Sequence, residues 1–156
     1  MITIRLAKLS DLAELQEVYV NTIEHHCHRD YTPAQLAAWK TSVQNKTRWQ
    51  NAIKTQYFMI AEAKNKIIAF GSLKEGNYID FLYAHKDFIG KGCGSQVYFK
   101  LEQESQRQGN VFLYSDVSKT ARPFFEKKGF IIEKENFNVI NGIEIVNYKM
   151  RKNLTP

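Results

Sequence analysis

Strand-like runs alternating with amphipathic helical segments along all 156 residues predict an α/β domain. Two local features sharpen that reading. Tyr78–Ala84 reads as a strand that passes through Gly90, Gly92 and Gly94 into a helix, and Asn141-Gly142 between the last two strand-like runs is a hairpin signal. The hydrophobic share of 44% and aromatic share of 13% supply a core, and a chain this long buries about 70% of its unfolded surface within one domain. One domain over residues 1–156 is expected, with neither repeat nor linker.

The elements follow in order. Ile2, Ile4 and Leu6 alternate with polar residues, as in a half-buried first strand. Asp11 with Glu14 offers a capping box for a helix that carries Leu12, Leu15, Tyr19 and Thr22 and runs to about Glu24. Thr32-Pro33-Ala34-Gln35 starts the next helix: Thr can cap, Pro suits the first turn, and Gln35 can return to the cap backbone. Thr47–Ile53 is a short amphipathic piece. Tyr57–Ala63 and Lys66–Leu73 read as strands around Lys64-Asn65, and Gly76-Asn77 turns the chain into Tyr78–Ala84. Cys93, Val97 and Leu101 stripe one helix face up to Gly109-Asn110. Val111–Ser115 is a fifth strand. Pro123 belongs in the first turn of a helix starting near Lys119 or Thr120, with Ser118 on the loop before it and Gly129 as its stop. Phe130–Lys134 and Ile143–Arg151 close the chain as strands.

The glycine run carries the chemistry. Without Cβ atoms, Gly90, Gly92 and Gly94 let successive backbone N–H groups face one concavity, and the following helix start adds unpaired donors and a positive dipole end. A diphosphate fits such a cradle. The last glycine of the dinucleotide fingerprint is missing, and no phosphate loop ending in Gly-Lys-Ser or Gly-Lys-Thr is present.

Ile89-Gly90-Lys91-Gly92-Cys93-Gly94 resembles the cofactor motif of the GNAT superfamily of N-acetyltransferases, with Ile89 in place of the usual Gln or Arg. Ala121-Arg122-Pro123-Phe124-Phe125-Glu126-Lys127-Lys128-Gly129-Phe130 is similar to a second family segment, with Phe125 where a tyrosine is usual. Tyr31, Pro33, Gln35, Ala38 and Trp39 match a Tyr-x-Pro-x-Gln-x-x-Ala-Trp segment of one subgroup. The resemblance spans about residues 2–151. It implies a mixed sheet of about seven strands with a central splay and about four helices. It also implies acetyl-coenzyme A as co-substrate, its pyrophosphate on the loop Ile89 to Ser95 (Lys91 and Cys93 included). The pantetheine would lie along Leu82, Tyr83 and Ala84, near Ser118 and Phe125. The activity implied is acetyl transfer by direct attack to a primary amine of a small molecule or peptide. A non-catalytic acyl-coenzyme A-binding or sensing module is the alternative, because Phe125 cannot donate a proton.

Acetyl transfer to an amine needs a base and a proton donor. Asp80 and Asp116, from the two strands expected to splay, rank first as bases, ahead of His85 and Glu24. Tyr83 and Tyr114 are the phenols that can replace the missing one, unless water serves. The plain alternatives are loop-satisfied carboxylates and ordinary strand aromatics. The polar segment Glu24–Trp39 is the expected acceptor wall, with Glu24, His28, Tyr31 and Trp39 as binding residues. His25, His26, His28 and Cys27 lack a spacing that gathers them on one helical face, so no metal is expected.

The net charge of +6 is spread among acids rather than gathered in a run. It fits a basic surface near the glycine loop, from Lys91, Lys119 and Arg122, better than a nucleic-acid partner. Cys27 and Cys93 are the only cysteines, expected as free thiols. No apolar run approaches the roughly 18 residues of a membrane span and no signal pattern opens the chain. A cytoplasmic protein without membrane association, monomeric or homodimeric, is the expectation.

Overall fold

The computed structural model describes residues 1–155. Its elements are β1 (Thr3–Leu6), α1 (Leu12–His26), α2 (Pro33–Lys40), α3 (Lys46–Thr55), β2 (Tyr57–Ala63), β3 (Lys66–Lys74), β4 (Tyr78–Ala84), α4 (Cys93–Arg107), β5 (Phe112–Ser118), α5 (Arg122–Lys127), β6 (Ile131–Ile140) and β7 (Ile143–Asn153). The strands form one seven-stranded sheet in the order β1-β2-β3-β4-β5-β7-β6. Every pairing is antiparallel except β4 with β5. The sheet is therefore mixed, and it separates two cores.

One core lies under α1, α2 and α3, where Leu15, Tyr19, Ile23, Trp49, Phe70 and Phe81 interlock. The other lies under α4 and α5. There Cys93, Val97 and Leu101, all fully buried, bring the expected helix stripe against the sheet beside Leu113 and Phe125.

Several sequence expectations need correction. Leu6 is exposed, because β1 is an edge strand and only Ile2 and Ile4 turn toward the second core. Asp11 stands at the N-cap of α1 as the last residue of a short 3₁₀ turn, but its side chain makes no cap bond: the carboxylate takes the Lys8 N–H and the Arg5 guanidinium. Glu14 reaches instead to the Ile67 amide at 2.7 Å. The Thr47–Ile53 piece is a full helix, α3, which makes five helices rather than four. Ser118 ends β5 rather than lying on a loop, and α5 starts at Arg122. The last hairpin is longer than expected: β6 continues to Ile140, and the left-handed Asn141 and Gly142, φ 51° and 77°, close it. The Thr32 cap forms as expected, with Gln35 N–H donating to Thr32 Oγ1 and Thr32 N–H donating to Gln35 Oε1.

The site depends on the middle of the sheet. Pairing of β3 with β4 jumps from Leu73–Ile79 to Ser72–Phe81, leaving Asp80 as an extra residue in β4. Such a bulge bends its strand and increases its twist. On the other edge, β4 pairs with β5 only at Tyr78–Tyr114 and Ile79–Ser115. Beyond those pairs the strands part, and Ser115 Oγ, buried at the fork, donates to Ile79 O at 2.9 Å.

Candidate active site

The opening between β4 and β5 is the mouth of a cleft of about 1050 Å³. On one side it is walled by Leu82, Ala84 and the turn from Phe88 to Ser95, with Phe124 and Phe125 from α5. On the other it is walled by Tyr19, Tyr31, Trp39, Tyr83 and the β6–β7 hairpin.

The glycine turn has the conformation its sequence requires. Gly90 and Gly92 sit at φ 79° and 87°, left-handed values that favour a residue without Cβ. A Cβ built at Gly90, Gly92 or Gly94 would project into open space, so these positions border a concavity rather than packed protein. The first backbone bond of α4 runs from Gln96 N–H to Gly92 O. The amides of Cys93, Gly94 and Ser95 thus have no acceptor within the helix. Lys91 departs from expectation: its N–H already donates to Phe88 O, and its ammonium lies over the Phe88 ring. The Cys93 side chain is fully buried behind the loop, so only its amide is available. Ile89, Gly90, Gly92, Gly94 and Ser95 border the cleft.

Asp80 and Asp116 both face the cleft, in unlike states. Asp80 accepts a bidentate bond from Arg48, both contacts at 3.0 Å, and a third from Gln56 Nε2 at 2.8 Å. Burial alone would raise its pKa, but Arg48 and Gln56 outweigh it and hold the carboxyl below its ordinary value. An anion so engaged is a poor proton acceptor. Asp116 accepts only from neutral donors, the Tyr78 hydroxyl and Asn136 Nδ2. Burial, then Asp116, pushes the Tyr78 phenol upward, so it stays protonated as the donor.

Tyr83 borders the cleft, its ring against Tyr19 at 4.7 Å. Burial holds its phenol well above the ordinary value. Tyr114 does not reach the cleft. It sits at the paired end of β5, beneath the Lys149 ammonium, and the proton-donor role considered for it is withdrawn. Phe125 is a buried wall residue packed edge-on to Phe130 at 5.0 Å. Ser118 Oγ accepts the Ala121 N–H at 3.0 Å and caps the approach to α5.

The acceptor-side expectations divide. Glu24 lies outside the cleft, exposed and bound to Lys40 at 3.0 Å, and His28 is exposed and outside it too. Glu24 falls on the face of α1 turned away from the core, and His28 lies in the exposed turn after that helix. Tyr31 and Trp39 do line the cleft. The Tyr31 hydroxyl donates to Val146 O at 2.7 Å and accepts the Lys119 N–H at 2.9 Å, and burial pushes it up to about 12. His85 receives the Asp87 N–H and caps a 3₁₀ turn away from the cleft. The lysines bordering the cleft are Lys127 and Lys128, and the expected Lys91, Lys119 and Arg122 do not border it.

Arg48 and the hairpin's Asn138 and Asn147 also border the cleft and carried no sequence signal, while Tyr19, read as a helix-face residue, and His26, within the expected acceptor segment, border it too. They come from α1, α3, β6 and β7, which only the fold brings together. Among the described residues no group of three or more His, Cys, Asp or Glu is gathered as metal ligands would be, and Cys27 and Cys93 are free and buried. No helix among them is long and apolar enough to cross a membrane.

Comparison with known proteins agrees with this geometry. Residues 27–152 match the family described as acetyltransferase (GNAT) domain. The chain is 27% identical over 151 residues to the uncharacterized N-acetyltransferase YafP of Escherichia coli K12, covering 96% of this chain and 95% of that protein. A GCN5-related N-acetyltransferase from Rhodopseudomonas palustris superposes with a TM-score of 0.93 at 29% identity, covering 97% of this chain and 94% of the other. The PaiA N-acetyltransferase of Thermoplasma acidophilum, solved with coenzyme A, gives 0.82 at 21% identity over 98% and 99% of the two chains.

Proposed function

The chain belongs to the GNAT acetyltransferase family, and on that premise we propose that it moves an acetyl group from acetyl-coenzyme A to a primary amine of a small molecule or peptide by direct attack. The observation that carries this reading is the parting of β4 and β5 beyond Ile79–Ser115, which opens a cleft with a glycine cradle at one end and aromatic walls at the other. The residues fit the cofactor. Open space at the three cradle glycines and the unaccepted amides of Cys93, Gly94 and Ser95 suit a pyrophosphate, and Lys127 and Lys128 add positive charge at the cleft.

When bound, acetyl-coenzyme A supplies the acetyl group activated as a thioester. The chain's own groups do the rest. The backbone of Leu82–Ala84 has no strand partner on its β5 side, and apart from Ala84 O, which already accepts from Thr22 Oγ1 at 2.6 Å, it hydrogen-bonds an extended chain as a neighbouring strand would. The attacking amine, with a pKa near the lysine value of about 10.4, must lose a proton first. Asp116 accepts that proton, directly or through water, because its carboxylate is not neutralised by a cation. Asp80 instead keeps Arg48 and the bent part of β4 in place. Of the cleft phenols, Tyr31 is tied to Val146 O and the Lys119 N–H and Tyr19 to the Ser42 hydroxyl, so Tyr83 is the one that donates toward the departing sulfur, while Phe125 shapes the wall. General acid or base help of this kind contributes about 10²–10⁴-fold, and positioning supplies much of the remainder.

Release of free thiol from acetyl-coenzyme A, followed across a panel of primary amines, tests the reading. Amine-dependent release is expected, and Asp116→Asn should lower kcat by about 10²-fold with coenzyme A affinity unchanged. Tight coenzyme A binding with no release for any amine would overturn the transfer reading in favour of an acyl-coenzyme A-binding module.

A further inference from the structure

The two ends of the cleft are chemically unlike, and the end away from the cradle is aromatic. Tyr19 and Tyr83 pack at a tilt with centroids 4.7 Å apart, and Tyr31 and Trp39 meet edge-on at 5.5 Å. Ile140 and Ile145 of the hairpin border the same space. These rings are not all simple core. Trp49 belongs to the same aromatic cluster and is fully buried, whereas Trp39 and Tyr83 are only half-buried and keep surface turned to the cleft.

Charge at that end is nearly cancelled. Arg48 and Asp80 neutralise one another, and partial desolvation moves the His26 pKa below its ordinary value. Asp116 is the one cleft carboxylate there that is not tied to a cation. Glu24, the other acid sequence reasoning had placed here, lies outside and is bound to Lys40. The Tyr31 ring already lies under the Lys119 ammonium at 5.5 Å, so a single ammonium is matched by Asp116 and by the Tyr83 and Trp39 rings. A second would enter an apolar space with only the already paired Asp80 to receive it.

We infer that the acceptor is a monoamine whose single ammonium is carried on an apolar, ring-bearing body, rather than a diamine, a polyamine or a lysine-rich peptide. This rests on the acetyl-transfer reading and narrows it to an arylalkylamine class. Trp39 is the residue on which the discrimination turns.

Phenethylamine, hexamethylenediamine and a lysine-bearing peptide form the test set. With acetyl-coenzyme A, kcat/KM for phenethylamine should exceed that of each of the others by about tenfold or more, the range that apolar pocket contacts deliver. Trp39→Ala should erase the preference by raising the phenethylamine KM while the acetyl-coenzyme A KM stays put, and Trp39→Phe should restore most of it. Equal or reversed preference overturns the inference while leaving acetyl transfer intact. If no amine releases thiol, calorimetry with the same amines still decides: tighter phenethylamine binding upholds the pocket chemistry, and no preference overturns it.

Discussion

Gly92 shows how much a single position can carry. Its φ of 87° would strain any residue with a Cβ, by about 1–2 kcal/mol, yet the Cβ itself would meet nothing. Gly92→Asp should therefore fold, melt slightly earlier and lose coenzyme A binding, because its carboxylate would occupy the place proposed for a pyrophosphate. Calorimetry of both proteins decides, and equal affinity would dismiss the cradle. Tyr31 carries the opposite lesson. Its hydroxyl joins Val146 O to the Lys119 N–H, linking the α1–α2 loop to β7 and to the end of β5. Tyr31→Phe should cost about 1–3 kcal/mol in urea unfolding while the amine KM stays within about twofold. A raised KM at unchanged stability would make that hydroxyl a binding group instead. The glycines were legible because their spacing has a backbone meaning. The Tyr31 hydroxyl was not, since both its partners lie more than eighty residues away.

Elements were read well where local chemistry decides them and less well where tertiary contacts do. The Thr32–Gln35 cap and the Cys93–Val97–Leu101 stripe are local, and both stand as expected. β6 was cut short at Lys134 because Glu133 to Asn136 are polar, yet pairing with β7 carries the strand on to Ile140. Asp80 looked like a free strand carboxylate because its partner arrives from α3, thirty-two residues away. That ion pair joins α3 to the bent part of β4, and its pH dependence follows. The folded pKa of Asp80 lies below its unfolded value of about 3.9. The stabilisation is thus fully present above that unfolded value and is lost as pH falls through the folded one. The urea midpoints of wild type and Asp80→Asn should differ at neutral pH and converge in acid below about pH 4. A gap that persists in acid would mean that Asp80 contributes through shape rather than charge.

At the scale of the molecule, β1 to β4 and β5 to β7 are two sheet halves joined in the sheet by the pairs Tyr78–Tyr114 and Ile79–Ser115 alone. Sequence reading reached the splay only through resemblance, because the bulge at Asp80 is written in register with β3 and not in residue type. Hydrogen exchange should find the amides along the open edge of β4 less protected than those on its β3 side, and coenzyme A should slow them. Exchange unaffected by coenzyme A would place the ligand elsewhere. The fork has a further bearing on how the protein survives in a crowded solution. An unpaired strand edge is ordinarily a hazard, since any passing chain in extended conformation can add to it. Here the vulnerable edges face one another across a cleft whose mouth is bordered by the glycine turn, α5 and the hairpin. A folded neighbour is too bulky to insert a strand there, whereas a slender flexible molecule can thread in. The geometry that admits the substrate thus also guards against aggregation, and a filled cleft should resist heat-induced precipitation better than an empty one.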